Sequence, residues 1–452
     1  MQDVINKFTI NLACSNEQQA FSMRDSFQKI FYEKAVSIIE KYLDEISDDQ
    51  QLIVIDKIEI KLNSLPSNGN NMDDFIQKFE KAFKHEFESA LTSSARKKNI
   101  HQSETEALTT FLLTGNLPWW ADTRDSNPDT WCNQIQLTSE KDNFINWLKS
   151  NYHNKTIWNR IRVQLPPFFK TFIINAIPEL EQAAQELQIF IQQNSNSLPS
   201  HAYQNIKNTD LIYDFIIARG NQLLDTSNQD YQPKILFTYL KSVLSTEEIE
   251  KLPADLKQEI GNIRNPTAKQ NLIAKIEKNN QNDETGITKI RTNRAGLVLL
   301  AVFFSDFFQR MNLWNKDLWL DEQAQCRAVY LLNYLASGEE FSFEYNLTLE
   351  KILCGYHPQD VLTEKIRFTP EETNGAEDLL ASVIEHWKAL KNTSVSGFRN
   401  TFLIREGLLS QKGGNWLLQV EKKTVDILLE QIPWGFSTIH LPWAPYLIYT
   451  EW

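Results

Sequence analysis

The residues of this 452-residue chain that could ligate a metal or move a proton are seven histidines, four cysteines and a few adjacent carboxylates. Metal binding on a helix commonly uses two imidazoles at i and i+4. The histidines, at 85, 101, 153, 201, 357, 386 and 440, form no such pair, and Cys354 with His357 is the only spacing that resembles a set of ligands. Two donors alone do not make a metal site. Glu339-Glu340 and Glu371-Glu372 could hold two separated pKa values for acid-base work, but they read as solvated helix ends. The signatures GxSxG, HExxH and GxxxxGKS are absent, as is GxGxxG ahead of a helix. Cys14, Cys132, Cys326 and Cys354 are far apart and read as buried free thiols. No catalytic, cofactor or metal residue is expected.

The twelve tryptophans are the unusual feature. Three clusters couple an indole to a proline: Leu117-Pro118-Trp119-Trp120, Pro433-Trp434-Gly435, and Leu441-Pro442-Trp443 leading to Trp452. Proline restricts the backbone beside a side chain that can bury roughly 200 Å², so each unit can anchor an element at low entropic cost. Trp119, Trp120, Pro433, Trp434, Pro442, Trp443 and Trp452 are therefore the candidate anchor or interface residues. They can serve as core plugs or as hot spots on a partner surface.

The elements that must position them follow from patterning. Phe8, Ile10 and Leu12, and later Ile58, Ile60 and Leu62, alternate with polar residues as half-buried strands do. Between them Phe27, Ile30, Phe31, Ile38 and Tyr42 fall at helical spacing, and Phe75, Phe79, Phe83 and Phe87 follow at i, i+4 steps. Residues 1–100 thus predict a small β-α-β-α unit. Residues 101–191 predict a helical domain cut by Pro118, Pro166, Pro167 and Pro178. Residues 192–286 are rich in Asn, Gln, Lys and Ser and predict a polar, partly helical linker.

From residue 287 to 452 a mainly helical domain is expected. One helical face carries Leu297, Leu300, Phe304, Phe307, Phe308 and Met311, and another carries Val329, Leu332 and Leu335. Trp416, Leu418 and Val420 alternate, and HLPWAPYLIYTEW is aromatic and β-prone, so short strands close the domain. The fold class expected is mainly α, multi-domain, with a small α+β N-terminal unit and short C-terminal strands. No repeat of 20 to 50 residues and no sustained heptad is present.

A net charge of −12, with Arg96-Lys97-Lys98 as the longest basic cluster, argues against a nucleic-acid surface. The opening MQDVINKFTINLAC lacks a secretory pattern, and the most apolar run, Ala295 to Phe308, falls short of the roughly 18 residues of a membrane span. A cytoplasmic product without membrane insertion is expected.

The same tryptophans carry a resemblance. Phe111-Leu112-Leu113-Thr114-Gly115-Asn116-Leu117-Pro118-Trp119-Trp120 resembles the "FLxTGxLPWW" segment of the contractile injection system tape measure family, and Ile55-Asp56-Lys57-Ile58-Glu59-Ile60 resembles its "IDxLEID" segment. Asn293-Arg294-Ala295-Gly296-Leu297, Ala328-Val329-Tyr330-Leu331-Leu332 and Leu353-Cys354-Gly355 follow in the family's order. So do Phe402-Leu403-Ile404-Arg405-Glu406-Gly407, Trp416-Leu417-Leu418-Gln419-Val420-Glu421, Ile432-Pro433-Trp434, Leu441-Pro442-Trp443 and Glu451-Trp452. Ile432 stands where leucine is more usual and Ala444 where Met is more usual. The resemblance covers roughly 1–120 and 290–452, and the middle does not match.

The resemblance implies a non-catalytic component of a phage-tail-like particle, without cofactor. It would set inner-tube length, join the tube to baseplate, spike or cap proteins, and could self-associate into a homo-oligomer. One straight helix of 452 residues would reach about 680 Å, but 15 prolines rule that out. An assembly chaperone or capping scaffold of the same particle is the alternative, and a carbohydrate-binding protein or glycosidase with sugar-stacking tryptophans is the remote one.

Overall fold

The structure is a computed structural model. It describes residues 34–46, 51–62, 72–93, 95–118, 127–193, 203–225, 289–316, 318–364, 366–390 and 392–452, with residues 5, 120, 121, 195, 239, 240, 242–244 and 249. The strand expected at Phe8 to Leu12 and the helical residues Phe27 to Phe31 lie outside these. The described chain is mainly helical with a small sheet near the C-terminus. It groups into two compact units, residues 1–108 with 118–141, and residues 109–117 with 142–452.

In the first unit, helix α1 (34–46) and α2 (Met72–Ser93) share an apolar core of Ala35, Ile39, Phe75, Phe79, Phe83 and Phe87. The i, i+4 phenylalanines stack, with Phe79 to Phe83 at 6.0 Å and Phe83 to Phe87 at 5.3 Å between centroids. Strands β1 (Gln51–Val54) and β2 (Arg96–Asn99) pair antiparallel, Gln51 opposite Asn99 and Val54 opposite Arg96. The strand expected at 57–62 is corrected here: among the described residues these join no ladder, although Ile58, Ile60 and Leu62 pack on the phenylalanine core. Alternation reports which face is buried, and the four-residue β2 is paired with β1. Helix α3 (Ile100–Thr114) runs on from β2, and α4 (Pro128–Leu137) starts at a proline, with Asn127 Oδ1 accepting the Asp129 N–H at 2.9 Å.

In the second unit, α5 (Glu140–Ser150), α6 (Lys155–Gln164), α7 (Pro167–Ala176) and α8 (Pro178–Gln193) form a helical block. Two of the expected breaks fall at Pro167 and Pro178, each opening a helix. The block continues beyond 192: α9 (Tyr203–Ile206), α10 (Thr209–Ile217) and α11 (Gly220–Leu223) follow, and α10 packs on α6, α7 and α8 through buried Ile212, Phe215 and Ile216.

The remainder of the unit is a C-terminal module built on a five-stranded sheet in the order β3-β4-β5-β7-β6: β3 (Lys289–Thr292), β4 (Gly407–Lys412), β5 (Asn415–Val420), β6 (Thr438–His440) and β7 (Leu447–Glu451). Neighbours are antiparallel except β5 and β7, which run parallel. Gly413 and Gly414, with φ of +57° and +76°, make the two-residue turn between β4 and β5, where both positions need the left-handed region. Trp416, Leu418 and Val420 face the core, as their alternation predicts.

Above the sheet lie α12 (Phe304–Arg310), α13 (Glu322–Ser337), α14 (Thr348–Leu353), α15 (Pro370–His386) and α16 (Val395–Phe398). The single helix expected across Leu297 to Met311 is corrected to a 3₁₀-helix, Ala295–Phe303, followed by α12. Residues 295–301 are all buried, so no solvent face imposes a 3.6-residue period. A Cβ on Gly296 would stand 1.8 Å from the Phe402 carbonyl oxygen, which requires glycine at this close approach. Among the described residues no helix is long and apolar enough to cross a membrane.

Candidate functional site

The segments from Asn293 to Trp452 that carried the resemblance lie in the second unit and engage one another. The Arg294 guanidinium, at the exit of β3, donates to the Asn346 carbonyl at 3.0 Å and to Ser342 Oγ at 3.2 Å, and the Ala295 N–H donates to the Arg405 carbonyl at 2.9 Å. Arg405 is itself buried. It donates through Nη2 to Asp426 Oδ1 at 2.5 Å, through Nη1 to the Glu421 carbonyl at 3.0 Å, and through Nε to the Thr401 carbonyl at 2.7 Å. Burial pushes the Asp426 carboxyl up, but hydrogen bonds from Arg405, the Lys423 N–H and Trp452 outweigh it and hold the group below its ordinary range.

The C-terminal tryptophans tie into the same framework. Trp434 Nε1 donates to the Leu299 carbonyl at 2.8 Å, and its ring meets Phe303 edge-on at 5.0 Å and stacks on His386 at 5.9 Å. Trp443 Nε1 donates to the Leu353 carbonyl at 2.8 Å, and its ring lies 5.0 Å from both Trp314 and Trp319 and 5.5 Å from Phe308. Trp452 Nε1 donates to Asp426 Oδ2 at 3.0 Å, with Arg405 5.6 Å from its ring. Each indole N–H thus closes a long-range contact inside the chain. Pro433 and Pro442 are exposed beside half-buried Trp434 and Trp443. Trp120 is half-buried in the first unit, and Trp119 lies outside the described residues.

A second, fully buried cluster was not foreseen from the sequence. Glu344 receives Arg160 Nε at 3.1 Å and Lys351 Nζ at 2.9 Å on one oxygen, and the Leu362 N–H at 3.4 Å on the other. Arg160 also donates to the Leu112 carbonyl at 2.9 Å and the Gln359 carbonyl at 2.7 Å. Burial draws the Lys351 ammonium below its ordinary range, partly opposed by Glu344. Gly115, at φ +76°, lies against this cluster: a Cβ there would stand 2.6 Å from Glu344 Oε1 and 2.8 Å from Arg160 Nη2. Asn116 Oδ1 accepts from Thr348 Oγ1 at 3.1 Å. The Gly-Asn step of the Leu-Pro-Trp-Trp segment is therefore a seat for buried charge.

Next to Lys351 on α14, Glu350 is wholly buried, and among the described residues neither carboxyl oxygen has a hydrogen-bond partner. Burial pushes it up to about 7, although Arg294 at 3.7 Å pulls the other way. Burial likewise raises the thiols of Cys132, Cys326 and Cys354, which remain protonated and poorly nucleophilic. Cys354 is buried whereas His357 is exposed, and among the described residues no group of three or more His, Cys, Asp or Glu could hold a metal. Glu339, Glu340 and Glu371 are exposed, as solvated carboxylates should be. Glu372 is instead buried, in a capping box with Thr369 and bonded by Arg327 Nη2 at 2.7 Å.

Motifs that are engaged in packing and in each other's hydrogen bonds are the pattern of a structural component. The family model described as "Contractile injection system tape measure protein" matches residues 2–452, the middle of the chain included. The chain belongs to this family, and its role is that of a tape-measure-like structural protein. No curated protein and no solved structure matches it.

Proposed function

We propose that the chain organises assembly of the inner tube of a contractile injection particle and its junction with baseplate, spike or cap proteins, and catalyses no reaction. The observation that carries this reading is the family match across residues 2–452. The tryptophan geometry supports it: the indoles are engaged internally, and the exposed Pro433 and Pro442 beside them form a rim that a neighbouring subunit can cover. In this reading the protein works in the cytoplasm, joins the particle there, and binds neither nucleic acid nor membrane. Trp443 is enclosed by Phe308, Trp314 and Trp319, which leaves its ring poorly placed to stack on a sugar.

A ruler acting by its folded length fits less well than an organiser acting by docking. The longest described helix, α2, has 22 residues and reaches about 33 Å, and α10 is packed into the helical block. This favours, as a second reading, a capping scaffold or assembly chaperone of the same particle. In-frame insertions between residues 250 and 288, with tube lengths measured by electron microscopy and copy number by mass spectrometry, separate the two. Tube length that tracks the insertion supports a ruler; unchanged length with retention in the particle supports a docking organiser; loss from mature particles supports a chaperone.

A further inference from the structure

The joint between the helical block and the C-terminal module is built differently from either interior. The module's apolar core is drawn from residues between Ile290 and Trp452. The block has its own buried residues, among them Phe144, Leu148, Ile157, Trp158 and Ile173. Where α6 meets the module, its side chains make polar contacts. Arg160 reaches Glu344 and the Gln359 carbonyl, Arg162 donates to the Thr363 carbonyl, and Gln164 Oε1 accepts the Glu344 N–H at 3.0 Å. Gln164 Nε2 donates to Tyr330 Oη at 3.5 Å. Asn116 with Thr348, and the edge contact of Phe111 with Tyr345 at 5.5 Å, add to the joint.

At its centre one carboxylate holds two cations, Arg160 from the block and Lys351 from the module. An apolar interior opens only by exposing its surface to water, whereas charged and polar groups regain hydrogen bonds to water when parted. A buried ion pair therefore adds little net stability, because the cost of desolvating its charges offsets their attraction. We propose that Arg160, Glu344 and Lys351 form a polar latch, through which the helical block and the C-terminal module part and re-engage as folded bodies. Gly115 belongs to the latch because any side chain there enters the space between Glu344 and Arg160.

Native-state hydrogen exchange of the full chain, read by mass spectrometry in low urea, tests this. The Glu344 N–H, bonded across the joint, and the Leu362 N–H, bonded to the latch carboxylate, are the reporters, and amides of α13 report the module core. Peptides covering 341–347 and 358–364 are expected to exchange through an opening with a shallower urea dependence than peptides covering 326–336. Glu344→Gln is expected to speed the two reporter peptides by about tenfold or more and to leave α13 within about twofold. A common urea dependence for reporters and α13 in the wild-type chain overturns the latch, as does Glu344→Gln accelerating all peptides equally or none. The wild-type urea series decides the matter alone should the variant not fold.

Discussion

Glu350→Gln is expected to stabilise the C-terminal module in a pH-dependent way. The carboxyl is wholly buried on α14, its oxygens without a hydrogen-bond partner among the described residues, facing Arg294 at 3.7 Å and the raised thiol of Cys354. Burial lifts it from an ordinary value of 4.5 to about 7. Between those values the folded chain holds a proton that the unfolded chain has released, so stability falls as pH rises through the window. The full loss is about 3 kcal/mol at 1.36 kcal/mol per pH unit, complete once pH passes 7. Glutamine mimics the protonated acid and removes the loss. Urea unfolding at pH 5 and pH 8, followed by tryptophan fluorescence, should show the variant gaining about 2.5 kcal/mol on the wild type between the two pH values, since pH 5 already lies above the unfolded value. Parallel profiles would refute the reasoning, because they would mean that Glu350 is already solvated or fully paired.

Gly115→Ala forces a left-handed residue to carry a Cβ against Glu344 and Arg160, and should cost about 2 kcal/mol or more in urea unfolding. Trp443→Phe keeps a ring among Trp314, Trp319 and Phe308 but forfeits the bond to the Leu353 carbonyl, at about 1 kcal/mol, whereas Trp443→Ala should cost about 3–5 kcal/mol. Asp426 is held below its ordinary 3.8, so its pairing stabilises the chain above that pH and is lost as pH falls through the lower folded value. Asp426→Asn should therefore flatten the acid limb of a stability profile below about pH 4 and lower the plateau above it.

What the sequence made legible was the periodic and the proline-marked. The Phe75 to Phe87 ladder, the breaks at Pro167 and Pro178, and the alternation of Trp416, Leu418 and Val420 all rest on local spacing, and each became the expected element. Residues 57–62 alternate as well, yet strand pairing depends on a partner far along the chain, and the partner strand Arg96–Asn99 aligned with Gln51–Val54 instead. The 3₁₀ course of 295–303 was hidden because a segment buried on every side has no distinctive period. The buried charges were least legible of all: Arg160 and Glu344 are 184 residues apart, and neither looks different from a surface residue in its local context. Gly115, Gly296, Arg294 and Arg405 were in view only as letters of matched segments. Their reasons, a left-handed turn against a carboxylate, a backbone crossing and two buried guanidinium groups, are tertiary.

The most direct test of the structural role is electron microscopy of particles from cells lacking this chain, restored with either the wild-type sequence or Trp443→Ala. A tube organiser predicts that particles with normal tubes fail to form in the deletion, return with the wild type, and return poorly or with irregular tubes when the C-terminal module is unlocked. Particles of ordinary number and tube length in the deletion would contradict it.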